Sequence, residues 1–494
     1  MMKSIKINDK SLPWLFLGRD FNIPSFYYAI ETEKVNGRPG SILKSKYLNE
    51  VKFDLPLIIL NSYSSAGGVK TNDNIINDLV NFFNQDESVR LQIEGEEWYW
   101  NAVIHDGFEI PETNRAAINL KVSVTLTDPY RYALKGSMNT AISDQISVVN
   151  TGTADTPITV EARALKDSNF FMIAKGDEDY FMIGDDDVDK VQKDYSPMIY
   201  SSELRDFIGW NKQGVSTIND NYLGGQSGGS FTLSSSKESF TLNDAGTGTG
   251  WIGAEYKRSL SKQVQNFSFT LKLAVNQTKK GTTRCAQFIY DNNNRLLASI
   301  GYVNSRANQV TGRIIVTLFN ESGDQVKIYD YPNNPKVYKY KDLIVYIRLT
   351  RVDDVFTIKT WKYKEIKYPE RVTPIDQNER SYIDTGKFYQ RPVTNISLYN
   401  AKHSTSSYMP TYILGTYNRE LLERPKGSKD IIIKKGDSVL IDTKNFNVVV
   451  NEEPFLHEKT FGSDFFNVDK GVSELMIYPT GVFDTTVRWQ ERFI

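Results

Sequence analysis

The chain has 494 residues, more than one hydrophobic core usually serves, so at roughly 150 residues per domain it divides into about three units. Hydrophobic residues make up 40% and charged residues 24%, which excludes a chain that is disordered in the main. Lysine and arginine total 59 against 60 acidic residues, a net charge of -1, so the general attraction to phosphate backbones or anionic lipid surfaces is missing.

The N-terminal stretch Met1 to Leu17 lacks an apolar core before a small-residue cleavage site, and the longest apolar run, Leu55 to Leu60, is too short to span a bilayer. Neither signal-directed export nor a membrane anchor is expected. The lone Cys285 excludes an intrachain disulfide and a cysteine-based zinc site. His105, His403 and His457 each lack a partner at metal-ligand spacing. No metal and no cofactor is expected.

In chain order, the first clear element is a helix over 74–84, where Ile75, Ile76, Leu79, Val80 and Phe83 recur at helical spacing behind Asp73 or Asn74 as N-cap. A strand-like run from Ala117 to Leu126 ends in the turn Asp128-Pro129-Tyr130, closing a first unit at 1–135. The next run, Ile142 to Val160, dissolves in the acidic segment Asp177 to Asp189. Asp185, Asp187 and Asp189 stand at alternate positions, but Lys190 and Ser196 occupy the sixth and twelfth places of that register, so an EF-hand fails and a solvated acidic hairpin is expected.

Glycine and serine crowd Gly224 to Ser236. Gly225-Gln226-Ser227-Gly228-Gly229 has the letters of a nucleophile elbow, and Gly248 to Gly253 those of G-x-G-x-x-G. Neither stands between a strand and a helix, so both read as loops. Period-2 alternation follows in Phe267, Phe269, Leu271, Leu273 and Val275, and again in Leu343, Val345, Ile347 and Leu349, as in antiparallel sheets with one buried face. In Val355 to Trp361, Phe356 and Ile358 share one face and Thr357, Lys359 and Trp361 the other. The basic run Lys359 to Lys367 is interleaved with aromatics and reads as a strand surface rather than a nucleic-acid site. Hairpin signals close the chain: Lys435-Gly436-Asp437 between Ile431 to Ile433 and Val439 to Ile441, then Asn451-Glu452, then the alternating Val487 and Trp489.

The fold class expected is therefore mostly β. The last stretch is short for a domain alone, so residues 136–200 and 419–494 are expected to form one split domain, with 201–418 inserted as a β-sandwich. Within the insertion, flat aromatics could stack on sugar rings: Trp251, Trp361, Trp210 and Tyr256 are the candidate carbohydrate-binding residues. Trp361, on the polar side of its strand, is either a platform or a packed ring. Glu255 and Glu365 could be nominated as a hydrolytic pair, but nothing in the sequence opposes them across a bond, and no catalytic residue is assigned.

The residues Gly18-Arg19-Asp20-Phe21, Val35-Asn36-Gly37-Arg38-Pro39-Gly40-Ser41, the helix ending Leu79 to Phe83, the strand Trp98 to Val103 and Leu126-Thr127-Asp128-Pro129-Tyr130-Arg131-Tyr132 resemble, in order, the distal tail proteins of long-tailed bacteriophages. Lys434-Lys435-Gly436-Asp437, Gly462-Ser463-Asp464-Phe465-Phe466 and Val487-Arg488-Trp489 continue the resemblance. It implies an N-terminal β-barrel-like domain that closes a homohexameric ring, and a galectin-like β-sandwich outside it. The implied role is a baseplate hub in the virion, made in the host cytoplasm. It would join the tail tube protein to a tail-associated lysin, tail fibre or receptor-binding protein, with DNA passing through the lumen without specific binding. The sugar-binding H-N-P-R signature of galectins is absent. Gly250-Trp251-Ile252-Gly253-Ala254 is similar to the W-x-G motif of carbohydrate-binding-module-like insertions in larger members, with Ile252 where a histidine often stands. The resemblance thus implies a non-enzymatic hub whose insertion binds host wall polysaccharide. The alternatives are a glycan-degrading enzyme with a binding module, or a hub whose insertion is purely structural.

Overall fold

A computed structural model describes residues 2–60, 72–108, 117–176, 178–277, 279–364 and 373–494. Near the N-terminus, six strands run in the order Ile5–Ile7, Val89–Ile93, Trp98–His105, Ala117–Ala133, Val51–Leu60 and Leu15–Leu17. The two end strands meet through a Ser4–Phe16 bridge and a 2.8 Å bond from the Leu17 amide to the Lys3 carbonyl, which curls the sheet into a barrel. The helix Asn72–Phe83 closes it with Ile75, Leu79, Phe82 and Phe83 against Trp14 and Trp100. Ile76 and Val80, expected on the same stripe, face outward. Beside the barrel stands a two-stranded hairpin, Tyr28–Glu33 with Ile42–Leu48, whose Ile30 (61% exposed) and Leu43 (56%) pack on no core, as do Phe26 and Tyr27 just before it.

A second core is shared by residues far apart in the chain. Val160, Phe171 and Phe181 pack with Ile441, Leu475 and Val487, between a four-stranded sheet and a second sheet built on Thr156–Ala164, Ser438–Asp442 and Phe483–Trp489. Ser438–Asp442 pairs with Thr156–Ala164 on one side and Asn447–Val450 on the other. The expected hairpin between 431–433 and 439–441 therefore does not form; Ile433 instead bridges Ser168. Asn451 and Glu452, both at positive φ, make the tight turn into Glu453–Pro454. The acidic segment carries its own counter-charge, with Lys190 Nζ 2.6 Å from Asp185 and 3.5 Å from Asp187.

The third core lies between a sheet of eight strands and one of nine, spanning Met198 to Glu420. Phe267, Phe269, Leu271, Leu273 and Val275 point into it with Leu343, Val345, Ile347 and Leu349, as their alternation predicts. The chain enters and leaves this body side by side: Val191–Lys193 pairs in parallel with Ser428–Asp430. Lys434 Nζ on Asp194 (2.7 Å), and Asp430 accepting from the Tyr195 amide (2.8 Å), fasten that junction.

Candidate glycan-binding surface

Along Trp251–Val264, Ala254 and Tyr256 point into the third core, so Trp251, Gly253, Glu255 and Lys257 fall on the outer face of the nine-stranded sheet. Neighbouring strands place Tyr290, Ser397 and Tyr399 on the same face. Part of this face is roofed by residues 216–226: Ile218 and Leu223 pack on the cluster of Phe288, Tyr399 and Ala401, and Asp220 accepts from Ser299 Oγ at 2.6 Å. The roof lies close because of Gly225, at φ 155°, where a Cβ would come within 2.7 Å of Trp251 and the Tyr399 hydroxyl.

Past the roof the face opens into a groove of about 520 Å³ whose lining includes Glu255, Lys257, Asn294, Arg295 and Asn320. Glu255 is 4% exposed; its Oε1 accepts from Tyr290 Oη at 2.8 Å and Ser397 Oγ at 2.6 Å. Lys257 Nζ lies 3.3 Å from the centre of the Tyr290 ring and donates to Asn294 Oδ1. Burial pulls Lys257 below the usual lysine range, against the opposing fields of Glu255 and Asp291. Burial, reinforced by Glu255, pushes the Tyr290 phenol well up, so it stays a hydrogen-bond donor.

The groove rim is pinned from beneath. Arg391 donates to the carbonyls of Phe319 (2.6 Å) and Asn320 (3.1 Å) and pairs with Asp291 at 2.5 Å. Burial pushes the Asp291 carboxyl up, but the Arg295 amide and Arg391 outweigh it and hold it below the ordinary aspartate value. Through the two terminal nitrogens of Arg391, this network holds the loop 320–323 that walls the groove.

The four aromatics nominated from sequence do not come together. Trp210 (6% exposed) and Tyr256 (9%) lie inside the third core, Tyr256 stacked on Phe231 at 4.8 Å, because a sandwich this wide needs large rings to fill it. Trp361 does lie on the outer face of its strand, opposite Phe356 and Ile358, yet it is 1% exposed. It stacks on Tyr346 at 4.8 Å and 7°, and its indole N–H donates to the Glu452 carbonyl at 2.9 Å. The turn 451–453 seats there, with Lys272 on Glu452 and Arg348 and Lys359 on Glu453. Trp361 is a platform for this chain's own hairpin. Trp251 alone keeps a partly exposed ring, with the Arg284 guanidinium 4.3 Å above it and His403 at its edge. It lies four residues, about 13 Å, along the strand from Glu255, on the roofed side.

Of the two nominated carboxylates, Glu255 is in the groove, and Glu365 lies outside the described residues. Ser227, in the elbow-like letters, is bound to the Gly214 carbonyl (2.7 Å) and Ser216 Oγ (2.8 Å). No group of three or more metal-ligating side chains occurs among the described residues. Sequence reasoning missed Lys257, Asn294, Arg295 and Asn320. The signal for Lys257 was present: two charged residues alternate with Ala254 and Tyr256, as on a polar strand face.

Residues 10–127 match the family described as phage tail protein RIFT-related domain, and residues 422–493 match the siphovirus-type tail component, C-terminal domain. The two ends of the chain are siphophage tail-protein domains. Its place is the tail of the virion. Compared by sequence with curated proteins, it matches none. Among solved structures, it is similar to the CBM2 module of the evolved Dit of Lactobacillus casei BL23 phage J-1, at 13% identity over 47% of this chain and 99% of that one, with a TM-score of 0.38. The Dit protein of SPP1 gives 12% identity over 37% and 75%, TM-score 0.32. A lectin of Ulex europaeus gives 10% over 44% and 96%, TM-score 0.27. Among the described residues, no helix is long and apolar enough to cross a membrane.

Proposed function

We propose that this distal tail protein is a baseplate hub that assembles as a homohexameric ring through its N-terminal barrel. The ring joins the tail tube protein above to a tail-associated lysin, fibre or receptor-binding protein below, and DNA passes through its lumen. In this reading residues 1–135 form the ring domain, 136–200 with 419–494 the split sandwich, and 201–418 a module that assists adsorption to host wall polysaccharide. The chain is made in the host cytoplasm, and its role is structural, not enzymatic. The observation that carries the reading is the pair of tail-family matches at the two ends, bracketing a sandwich with an open polar groove. The exposed apolar residues of the hairpin beside the barrel support self-assembly there. Six copies of the module would turn weak single-site binding into firm attachment, provided the wall offers sites within reach.

The test is the full chain in solution. A particle six times the 56.4 kDa chain mass, retained on purified host walls without releasing reducing ends, is the expected result. A folded monomer removes the ring. Reducing ends lost on Glu255→Gln substitution make the module an enzyme. A hexamer that ignores the walls leaves the insertion as scaffolding, the second reading, which the seating of the 451–453 turn on Trp361 favours.

A further inference from the structure

The chemistry of the groove narrows what it holds, given the reading above that it is a glycan site. Its charged lining is balanced within itself. Arg295 is 3.0 Å from Asp291 and 3.7 Å from Glu321, and Lys257 is taken up by Asn294 and the Tyr290 ring. A phosphate or carboxylate polymer is recognised by cations left uncommitted, most often a guanidinium presenting two parallel N–H groups. The floor carries the opposite: the carboxylate of Glu255, nine-tenths buried and more, which repels an anion at close range.

That carboxylate is also half used. Both of its hydroxyl donors bind Oε1, which leaves Oε2 to accept from a ligand. A buried carboxylate oxygen is a strong acceptor for a hydroxyl, and a ligand that fails to supply one leaves the charge desolvated. Around it, Thr217, Asn219 and Ser322 offer hydroxyls and an amide, uncharged groups suited to further hydroxyls. Of the two aromatics in the lining, Tyr290 has a face covered by Lys257 and Phe319 is buried, so recognition works by hydrogen bonds rather than ring stacking.

We infer that the groove takes an uncharged, hydroxyl-rich saccharide, anchored by donation of a ligand hydroxyl to Glu255, and that it rejects phosphate-bearing wall polymers.

The test uses the full chain with two probes purified from the same host walls, the neutral polysaccharide and the poly(glycerol phosphate) teichoic acid. Calorimetry is run at low and at high salt. The neutral polymer binds with an affinity that changes less than twofold with salt, and the teichoic acid does not bind. Glu255→Gln weakens neutral-polymer binding at least tenfold. Ser322→Trp, an exposed rim change that leaves the floor network alone, abolishes it with an unchanged melting temperature, which covers the case in which Glu255→Gln fails to fold. Teichoic acid preferred over the neutral polymer, with affinity falling steeply in salt, overturns the inference. So does Glu255→Gln or Ser322→Trp binding like the parent. In both cases retention on whole walls persists, so the adsorption reading survives. A parent chain that ignores both polymers and whole walls ends both.

Discussion

The two outer faces of the inserted sandwich present the same kind of surface, aromatics interleaved with lysine and arginine, and put it to opposite uses. On the eight-stranded side, Tyr346, Trp361 and Tyr363 with Lys272, Arg348 and Lys359 receive the turn 451–453 of the C-terminal sandwich. On the nine-stranded side, Glu255, Tyr290 and Lys257 line an open groove. Residue type marks both as recognition surfaces. What separates them is whether a complementary segment of the same chain is within reach.

If that contrast is right, the largest change comes from Trp361→Ala. Removing a fully buried indole, its stack on Tyr346 and its bond to Glu452 should cost about 3–5 kcal/mol, read as a lowered denaturant midpoint, while any folded protein keeps its affinity for glycan. Next is Glu453→Gln, which strips the partner from Arg348; breaking such a pair costs about 3 kcal/mol when well buried and less here, where Arg348 is 23% exposed. Proteolysis should then appear at the junctions 194–197 and 421–427. Burial raises the Glu453 carboxyl, but Arg348 outweighs it and the folded value lies below the ordinary 4.5. The stability from this pair is therefore present above pH 4.5 and lost as pH falls through the lower folded value, so Glu453→Gln should flatten the acid limb of the stability curve.

A smaller effect is expected from Arg391→Lys. A single ammonium cannot reach Asp291 and the carbonyls of Phe319 and Asn320 together, so the groove rim loosens and glycan affinity falls about tenfold, on the order of 1.4 kcal/mol, with the assembly state of the chain unchanged. Smallest is Trp251→Ala, which should change glycan affinity less than twofold; a large loss there would relocate the site to the roofed end of the face.

Much of the fold was legible because it depends on alternation. The inward faces of 267–275 and 343–349, and the two faces of 355–364, follow from residue parity alone. What parity cannot supply is the partner of a face. Trp361 stands on the polar side of its strand, as expected, and is buried by residues some ninety positions later. The misread hairpin after Ile433 has the same cause: the chemistry of Lys435-Gly436-Asp437 is local, but the strand it feeds pairs with Thr156–Ala164, across the whole insertion. In the groove, Glu255 and Lys257 lie on one strand, whereas Asn294, Arg295 and Asn320 arrive on turns that fold back from other strands.

The parallel pairing of Val191–Lys193 with Ser428–Asp430 bears on how such a chain can change. Val191 and Ser428 are register partners, one strand spacing or about 4.8 Å apart, and both strands run the same way. A chain that reaches Lys190 can step sideways onto Ser428 and continue without reversing. The whole of 191–427, the inserted body with its connecting segments, is thus a cassette with adjacent, co-directional ends, removable or exchangeable in a way that leaves the N-terminal barrel and the core of the second sandwich unedited, so the groove could be replaced without rebuilding the two tail-family ends.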